Sequence, residues 1–170
     1  MGTFLTFGKN LEDPNLNGGF LRSSDLGLSW DVFGQELSTL LITEFHVSLD
    51  GQTIVGNPRD SFHLQVSEDG GQTWRVTQLN QANGPVAISP TDPSHVLFVT
   101  GQRTISLSTD ALESFTPVIT SESNITDIAF APSDPTIVYA VTEGLIVCAS
   151  NDAGASFTEI VNIRTDVLNP

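Results

Sequence analysis

Hydrophobic and polar residues alternate along short stretches of this chain, and turn residues separate the stretches. In Thr43–Leu49 apolar side chains fall on every second position, and Asp50-Gly51 follows as a favoured hairpin turn. Similar apolar runs occur at Phe62–Val66, Pro85–Ile88, Val96–Val99, Ile105–Leu107, Ile125–Phe130 and Ile137–Val141. A period of two is that of β-strands, and no helical periodicity of useful length is present. The pattern therefore predicts an all-β chain of many short strands.

An eight-residue phrase occurs four times, with the form Ser-x-Asp-x-Gly-x-Ser/Thr-aromatic. The copies begin at Ser23, Ser67, Ser108 and Ser150. Their closing aromatic residues lie 44, 41 and 42 residues apart. A period of about 40–50 residues is that of one four-stranded blade of a β-propeller. We therefore predict blade repeats at approximately 3–37, 41–80, 84–120 and 124–162, within a single domain spanning residues 1–170.

Each residue of the phrase has a predicted structural role. The aspartate should accept hydrogen bonds from backbone N–H groups of a tight turn, and the glycine supplies a positive φ. The aromatic side chain should be buried between blades. These roles fall to Asp25, Gly27, Trp30, Asp69, Gly71, Trp74, Asp110, Phe115, Asp152, Gly154 and Phe157. The third copy has Leu112 in place of glycine, so its turn should be altered or strained.

The first repeat is incomplete. Thr3–Phe7 aligns with the second strand of the later repeats, and Ile163–Pro170 is too short for a further blade. The chain thus carries about four blades, of which the first lacks its innermost strand. Exposed strand edges are costly, which leaves three solutions open. In the first, the chain is a piece of a larger propeller. In the second, two copies form one ring of about eight blades. In the third, the C-terminal residues close a four-bladed ring.

The repeated phrase resembles the Asp-box of the sialidase/BNR-repeat β-propellers. Ser89–Thr100 and Ala131–Thr142 each carry an Asp-Pro turn before an apolar run. They are similar to a motif of the xyloglucanase-type hydrolase and sortilin-like branches. The resemblance covers nearly the whole chain. It implies rings of six or more blades, which favours half of a larger ring or a homodimer. It also implies a secreted or periplasmic protein, although no signal peptide is visible.

The charge of the chain limits the classes of partner that it is expected to bind. It carries 20 acidic and 6 basic residues, for a net charge of −14. Nucleic-acid binding needs clustered Lys and Arg, and anionic membrane surfaces attract basic segments, so neither partner is expected. No apolar run reaches the length of a transmembrane helix, which argues against membrane insertion. The charge favours neutral or cationic partners.

No catalytic or metal-binding constellation stands out. His46, His63 and His95 are scattered without a spacing typical of metal ligands, so we expect no metal and no cofactor. Sialidase chemistry would need clustered arginines and a Tyr–Glu pair, whereas Tyr139 lies inside a predicted strand. We therefore expect a non-catalytic binding or scaffold module. The alternative is part of a glycoside hydrolase whose two carboxylates come from different parts of the ring.

The resemblance also implies where a ligand would bind. In Asp-box propellers the motif joins strands three and four of a blade, and ligands bind the opposite face. The loops of that face include an inserted segment, Gly8–Gly19, and loops on a rigid scaffold concentrate binding function. The candidate binding residues are Asn10, Asp13, Arg59, Asp60, Arg103 and Glu143. The expected partner is a protein or a carbohydrate; the alternative is that these residues are solvated loop charges.

Overall fold

The computed structural model describes residues 4–8, 19–23, 25–34, 37, 40, 42–59, 61–79 and 82–168. The chain divides into two compact units, Met1–Val76 and Thr77–Pro170. Nearly all regular structure in the described residues is β-strand, and a five-residue π-helical turn covers Arg164–Leu168. The single domain predicted over residues 1–170 stays a prediction.

Unit 1 contains two antiparallel sheets in which consecutive strands pair. Sheet 1 consists of β1 (Phe4–Gly8), β2 (Gly19–Ser23) and β3 (Asp31–Phe33). Sheet 2 consists of β4 (Ile42–Val47), β5 (Ile54–Pro58), β6 (Gln65–Ser67) and β7 (Arg75–Val76). Among the described residues, sheet 1 has three strands where sheet 2 has four.

Unit 2 contains two four-stranded antiparallel sheets with the same consecutive pairing. Sheet 3 consists of β8 (Ala82–Ile88), β9 (Val96–Thr100), β10 (Thr104–Ser108) and β11 (Thr116–Thr120). Sheet 4 consists of β12 (Ile125–Ala131), β13 (Asp134–Thr142), β14 (Ile146–Ser150) and β15 (Thr158–Asn162). The predicted all-β class of four-stranded units is confirmed.

Sheets 3 and 4 pack face to face through one apolar core. Leu97, Val99 and Ile105 of sheet 3 meet Ile128 and Val138 of sheet 4. All five residues of β9 are buried, because this strand is covered on both faces. A polar contact crosses the same interface, where Nε2 of His95 donates to the carbonyl oxygen of Ala153 at 2.7 Å.

One strand, β6, differs from the alternation that predicts it. The pattern predicts a strand over Phe62–Val66, but β6 begins at Gln65, and Phe62 is 58% exposed in the preceding loop. Alternating polarity marks which side chains share a side of the chain. It does not mark where backbone pairing begins, and here β5 provides a partner only from Gln65 onward.

Candidate functional site

The Asp-box turns form one end of each sheet. In all four copies the serine hydroxyl donates to the aspartate Oδ1 at 2.7–2.8 Å. The same serine oxygen accepts the N–H of the residue at the glycine position, at 2.7–2.9 Å. The aspartate also accepts the N–H and the hydroxyl of the residue four positions on. Each turn therefore satisfies its own polar groups.

These bonds hold the aspartates ionised. The pKa of Asp25, Asp110 and Asp152 is lowered from 3.8 to about 2, mainly by the hydroxyl of the serine four residues on. The pKa of Asp69 is also lowered to about 2, mainly by the backbone N–H of Thr73. A carboxyl with such a low pKa is deprotonated at neutral pH and makes a poor general acid.

Each Asp-box turn in sheets 2, 3 and 4 is also bonded to the hairpin between the first two strands of its sheet. The N–H groups of Gly70, Ala111 and Ala153 donate to the carbonyl oxygens of Gln52, Ser94 and Thr136, at 2.9, 2.9 and 2.8 Å respectively. This end of the sheets is therefore a braced structural element in three blades.

Leu112 adopts the left-handed conformation that the phrase normally assigns to glycine. Its φ is 71°, and the preceding Ala111 has a φ of 54°. The bond from the Leu112 N–H to Ser108 Oγ is kept at 2.9 Å, and the side chain is buried. The turn is thus strained but its hydrogen bonding is unaltered, since burial of the leucine offsets the backbone cost.

The aromatic residues of the phrase are less buried than the sequence predicts. Trp30 is 42% exposed and Phe115 is 38% exposed, so the predicted burial is incomplete at both. The indole N–H groups of Trp30 and Trp74 donate to the carbonyl oxygens of Gly27 and Gly71, at 3.1 Å in both cases. The tryptophans therefore fold over their own turns.

A shallow cavity of about 190 Å³ lies at the Asp-box end of sheet 2. Its lining includes Asp69, Thr73, Trp74 and the ion pair between Arg75 and Glu68, whose closest atoms are 3.2 Å apart. Because Asp69 and Thr73 are already bonded to each other, these two residues offer little to a ligand.

The opposite end of unit 2 carries three loops joined by hydrogen bonds, which we call the loop surface: Gly101–Arg103, Ser121–Asn124 and Glu143–Leu145. The N–H of Ser121 donates to the carbonyl oxygen of Arg103 at 2.9 Å. The N–H of Glu143 donates to the carbonyl oxygen of Asn124 at 2.8 Å. The Asn124 amide returns a bond to Glu143 Oε2 at 3.0 Å. The loops are therefore fixed to one another.

Two of the predicted binding residues lie on this surface. Arg103 and Glu143 are both exposed there, in loops that Ser121–Asn124 connects. Arg59 is exposed after β5, in the corresponding loop of unit 1. Asn10, Asp13 and Asp60 lie outside the described residues, as does most of the inserted segment Gly8–Gly19.

Sequence reasoning missed the polar residues that order the loop surface. Asn83 accepts the N–H of Gln102 at 2.9 Å, and Ser123 Oγ accepts the N–H of Gly144 at 3.2 Å. These pairs are 19 and 21 residues apart, and nothing in their local sequence links them. Ser123 lies between β11 and β12, where short polar side chains favour turns, whereas Asn83 lies within β8 and gave no such signal.

Neither a metal site nor a membrane span emerges from the described part of the chain. No three His, Cys, Asp or Glu residues within it are grouped so that they could hold a metal ion. No helix in the same residues is long and apolar enough to cross a membrane.

The fold is similar to that of solved β-propellers. An ancestral GH74 enzyme matches with a TM-score of 0.65 and 17% identity, over 92% of this chain and 22% of that one. The GH74 enzyme of Niastella koreensis matches with a TM-score of 0.63 and 18% identity, over 85% of this chain and 27% of that one. YCF48 bound to D1 peptide matches with a TM-score of 0.56 and 15% identity, over 71% of this chain and 41% of that one.

These comparisons establish the β-propeller fold of the chain. The chain spans between about a fifth and two fifths of the length of the structures it matches, by coverages of 22%, 27% and 41%. The sequence matches no protein-family model and no curated protein.

Proposed function

We propose that the chain is a non-catalytic binding module whose loop surface recognises a neutral or basic peptide segment of a partner protein. The observation that carries this proposal is the network that joins Gly101–Arg103, Ser121–Asn124 and Glu143–Leu145. A surface ordered before binding loses less conformational entropy when its ligand arrives.

The chemistry of the loop surface suits a peptide. Glu122 and Glu143 provide carboxylates for basic side chains, and Arg103 provides a cation for a carbonyl or carboxylate. Leu145 is 37% exposed and adds an apolar contact. The net charge of −14 would steer a basic segment toward the protein. The similar fold of YCF48, which was solved with a D1 peptide, provides a precedent for a peptide ligand.

The proposal can be tested with an array of immobilised short peptides that vary in charge. We expect the wild-type chain to retain basic peptides, and the Glu143→Gln chain to retain them less strongly. Glu113→Gln is the matched control, since Glu113 is an exposed glutamate in the Asp-box turn of sheet 3. An array without enrichment, or equal losses in the two variants, would contradict peptide recognition by the loop surface.

A glycan ligand or a glycoside hydrolase is the second candidate, favoured by the similarity to GH74 enzymes. A xyloglucanase from Xanthomonas campestris is also similar, with a TM-score of 0.62 over 84% of this chain. The hydrolase hypothesis requires two carboxylates about 5–10 Å apart across an open cleft. Release of reducing sugar from xyloglucan would support the hydrolase hypothesis. If neither a hydrolysis screen nor a glycan array gave a signal, a peptide would remain as the candidate ligand.

A second copy of the chain would be a partner of another kind. It would engage a sheet face rather than the loops, and it would complete a ring of about eight blades, one of the three arrangements that the sequence leaves open.

A further inference from the structure

Gln102 occupies a backbone position that favours glycine. It lies in the tight turn between β9 and β10, where the N–H of Arg103 donates to the carbonyl oxygen of Thr100 at 3.4 Å. The two central residues of this turn, Gly101 and Gln102, have φ angles of 58° and 67°. Two positive φ angles are typical of the type I′ turns that join hairpin strands, and glycine is favoured there because a Cβ is unfavourable at positive φ. Gln102 therefore carries a conformational cost that a glycine would avoid.

The backbone of Gln102 is fixed by two further segments of unit 2. Its N–H donates to Asn83 Oδ1 at 2.9 Å, and its carbonyl oxygen accepts the N–H of Ile125 at 2.8 Å. Asn83 lies where the register of β8 shifts against β9, and Ile125 begins β12. Irregularities of this kind in a strand redirect side chains and are common beside binding sites. Residues of both sheets of unit 2 thus hold Gln102 in its strained conformation.

The described part of the chain does not offset this cost at Gln102. Leu112 has a similar φ, but its side chain is buried. Leu26, Ala111 and Ala153 share one position of the Asp-box phrase, which has a positive φ in every copy. Gln102 is exposed, and its side-chain amide makes no hydrogen bond to a described residue. Strained residues cluster at sites that hold ligands, so the strain at Gln102 indicates a role in binding.

A glutamine side chain suits the backbone of an extended peptide. Its amide can accept one hydrogen bond at the oxygen and donate another from the nitrogen at the same time. In an extended peptide, the N–H and the C=O of one residue point to the same side of the chain, so both can meet one amide. Arg103 and Glu143 supply charges for the side chains of a ligand, whereas Gln102 supplies a neutral group for its main chain.

We infer that the side-chain amide of Gln102 forms a pair of hydrogen bonds with the N–H and the C=O of one residue in an extended peptide at the loop surface. This inference rests on the proposed function and adds that the loop surface recognises the backbone of its ligand as well as its charge. Because the turn is fixed before binding, only the side chain of Gln102 loses freedom when the peptide arrives.

Variants of Gln102 separate peptide binding from stability. The probe is a short fluorescent peptide with two adjacent lysines flanked by alanines, and its affinity for the 170-residue chain is measured by fluorescence anisotropy. Gln102→Met keeps the length of the side chain and the strain but lacks the amide. Its urea midpoint should equal that of the wild-type chain, and its affinity for the peptide should fall about tenfold. Gln102→Gly should lose affinity by a similar factor, but its urea midpoint should rise because the strain is removed.

Ala111→Gly is the matched control. It relieves a φ of 54° in the same sheet, but at the Asp-box end, so its urea midpoint should rise while its affinity for the peptide stays that of the wild-type chain. If Gln102→Met binds the peptide as tightly as the wild-type chain does, the inference is wrong and the proposed function stands. If the wild-type chain does not bind the peptide, the proposed function and the inference are both wrong.

Methylation of the peptide backbone then tests the contact itself. In a set of peptides, the N–H of one residue at a time is replaced by N–CH₃. At the residue that Gln102 contacts, the methyl group should weaken binding to the wild-type chain about tenfold. The same methyl group should weaken binding to Gln102→Met much less, because the bond that it removes is already absent. Equal losses in the two chains at every position of the peptide would exclude the contact.

Discussion

The two ends of the sheets in unit 2 are built in opposite ways. At the Asp-box end, the side-chain bonds of each turn span two to four residues and recur in every copy. At the loop surface, the side-chain bonds that connect one segment to another join residues 19 to 21 apart and differ from loop to loop. At the Asp-box end the polar groups are hydrogen-bonded within their own turns, whereas the loop surface leaves Arg103 and Glu143 exposed. The repeated residues therefore maintain the fold, and the variable ones are available to a ligand.

The largest expected effect comes from a pair of glycine substitutions, one at each end. Gly154→Ala should destabilise by roughly 1–3 kcal/mol through overpacking against Leu97, in addition to the cost of its left-handed backbone. Gly101→Ala, with a φ of 58° and nothing near its Cβ position, should show the backbone cost alone, about 1–2 kcal/mol. Urea denaturation measures the free energy of unfolding of both variants. Equal losses of that free energy would show that the Asp-box end is not more tightly packed than the loop surface.

Acidification acts on all four Asp-box turns together. Their aspartates have a pKa of about 2 in the folded chain against 3.8 without the turn, so the unfolded chain takes up protons first as the pH falls. Their contribution to stability is complete above about pH 4 and is lost as the pH falls toward 2. Thermal melting across this range measures the loss. Asp152→Asn should reduce the slope, and an unchanged slope would contradict the role of that carboxylate.

A smaller gain in stability is expected from relieving strain at the Asp-box end. Ala111 has a φ of 54°, so Ala111→Gly should stabilise the chain by up to roughly 1 kcal/mol. Ala155→Gly is the control, because Ala155 lies in an equivalent turn without a positive φ and should gain nothing. The denaturation midpoints of both variants are compared with that of the wild-type chain. A loss of stability in Ala111→Gly would show that the methyl group of Ala111 contributes to packing.

The smallest effect on stability should come from the loop surface. Glu143→Gln removes a charge but keeps an oxygen that can accept from Asn124, so stability should change by less than about 0.5 kcal/mol. Its effect should be found in ligand binding instead. A large drop in melting temperature would indicate that Glu143 supports the fold and would remove the contrast between the two ends.

Much of the fold could be predicted from the sequence, because its determinants are local. Alternating polarity located β4, β9 and β12, and the resemblance to Asp-box propellers placed the repeated phrase between the third and fourth strands of a blade, as it lies in sheets 2, 3 and 4. The exposure of Trp30 and Phe115 could not be predicted in this way. It depends on what covers each turn in three dimensions, and the indole of Trp30 closes over Gly27 instead.

The candidate site was predictable only in its charged members. Arg103 and Glu143 follow from loop position, whereas Asn83, Ser123 and Asn124 gain their roles from partners distant in sequence. Short polar residues are common in loops and near the ends of strands, and only the assembled sheets show which of them holds a neighbouring loop. Pairing across blades therefore requires the structure.

The short span of the Asp-box bonds has a consequence for how the chain folds. A serine and an aspartate two residues apart can order their turn without help from distant strands, since closing so small a loop takes well under a microsecond. Consecutive strands then pair outward from that turn, so each sheet can form as a meander before it meets its neighbour. Protonating the aspartates should therefore slow refolding as well as lower the stability of the folded chain. The rate of refolding then depends on the eight residues of each Asp-box.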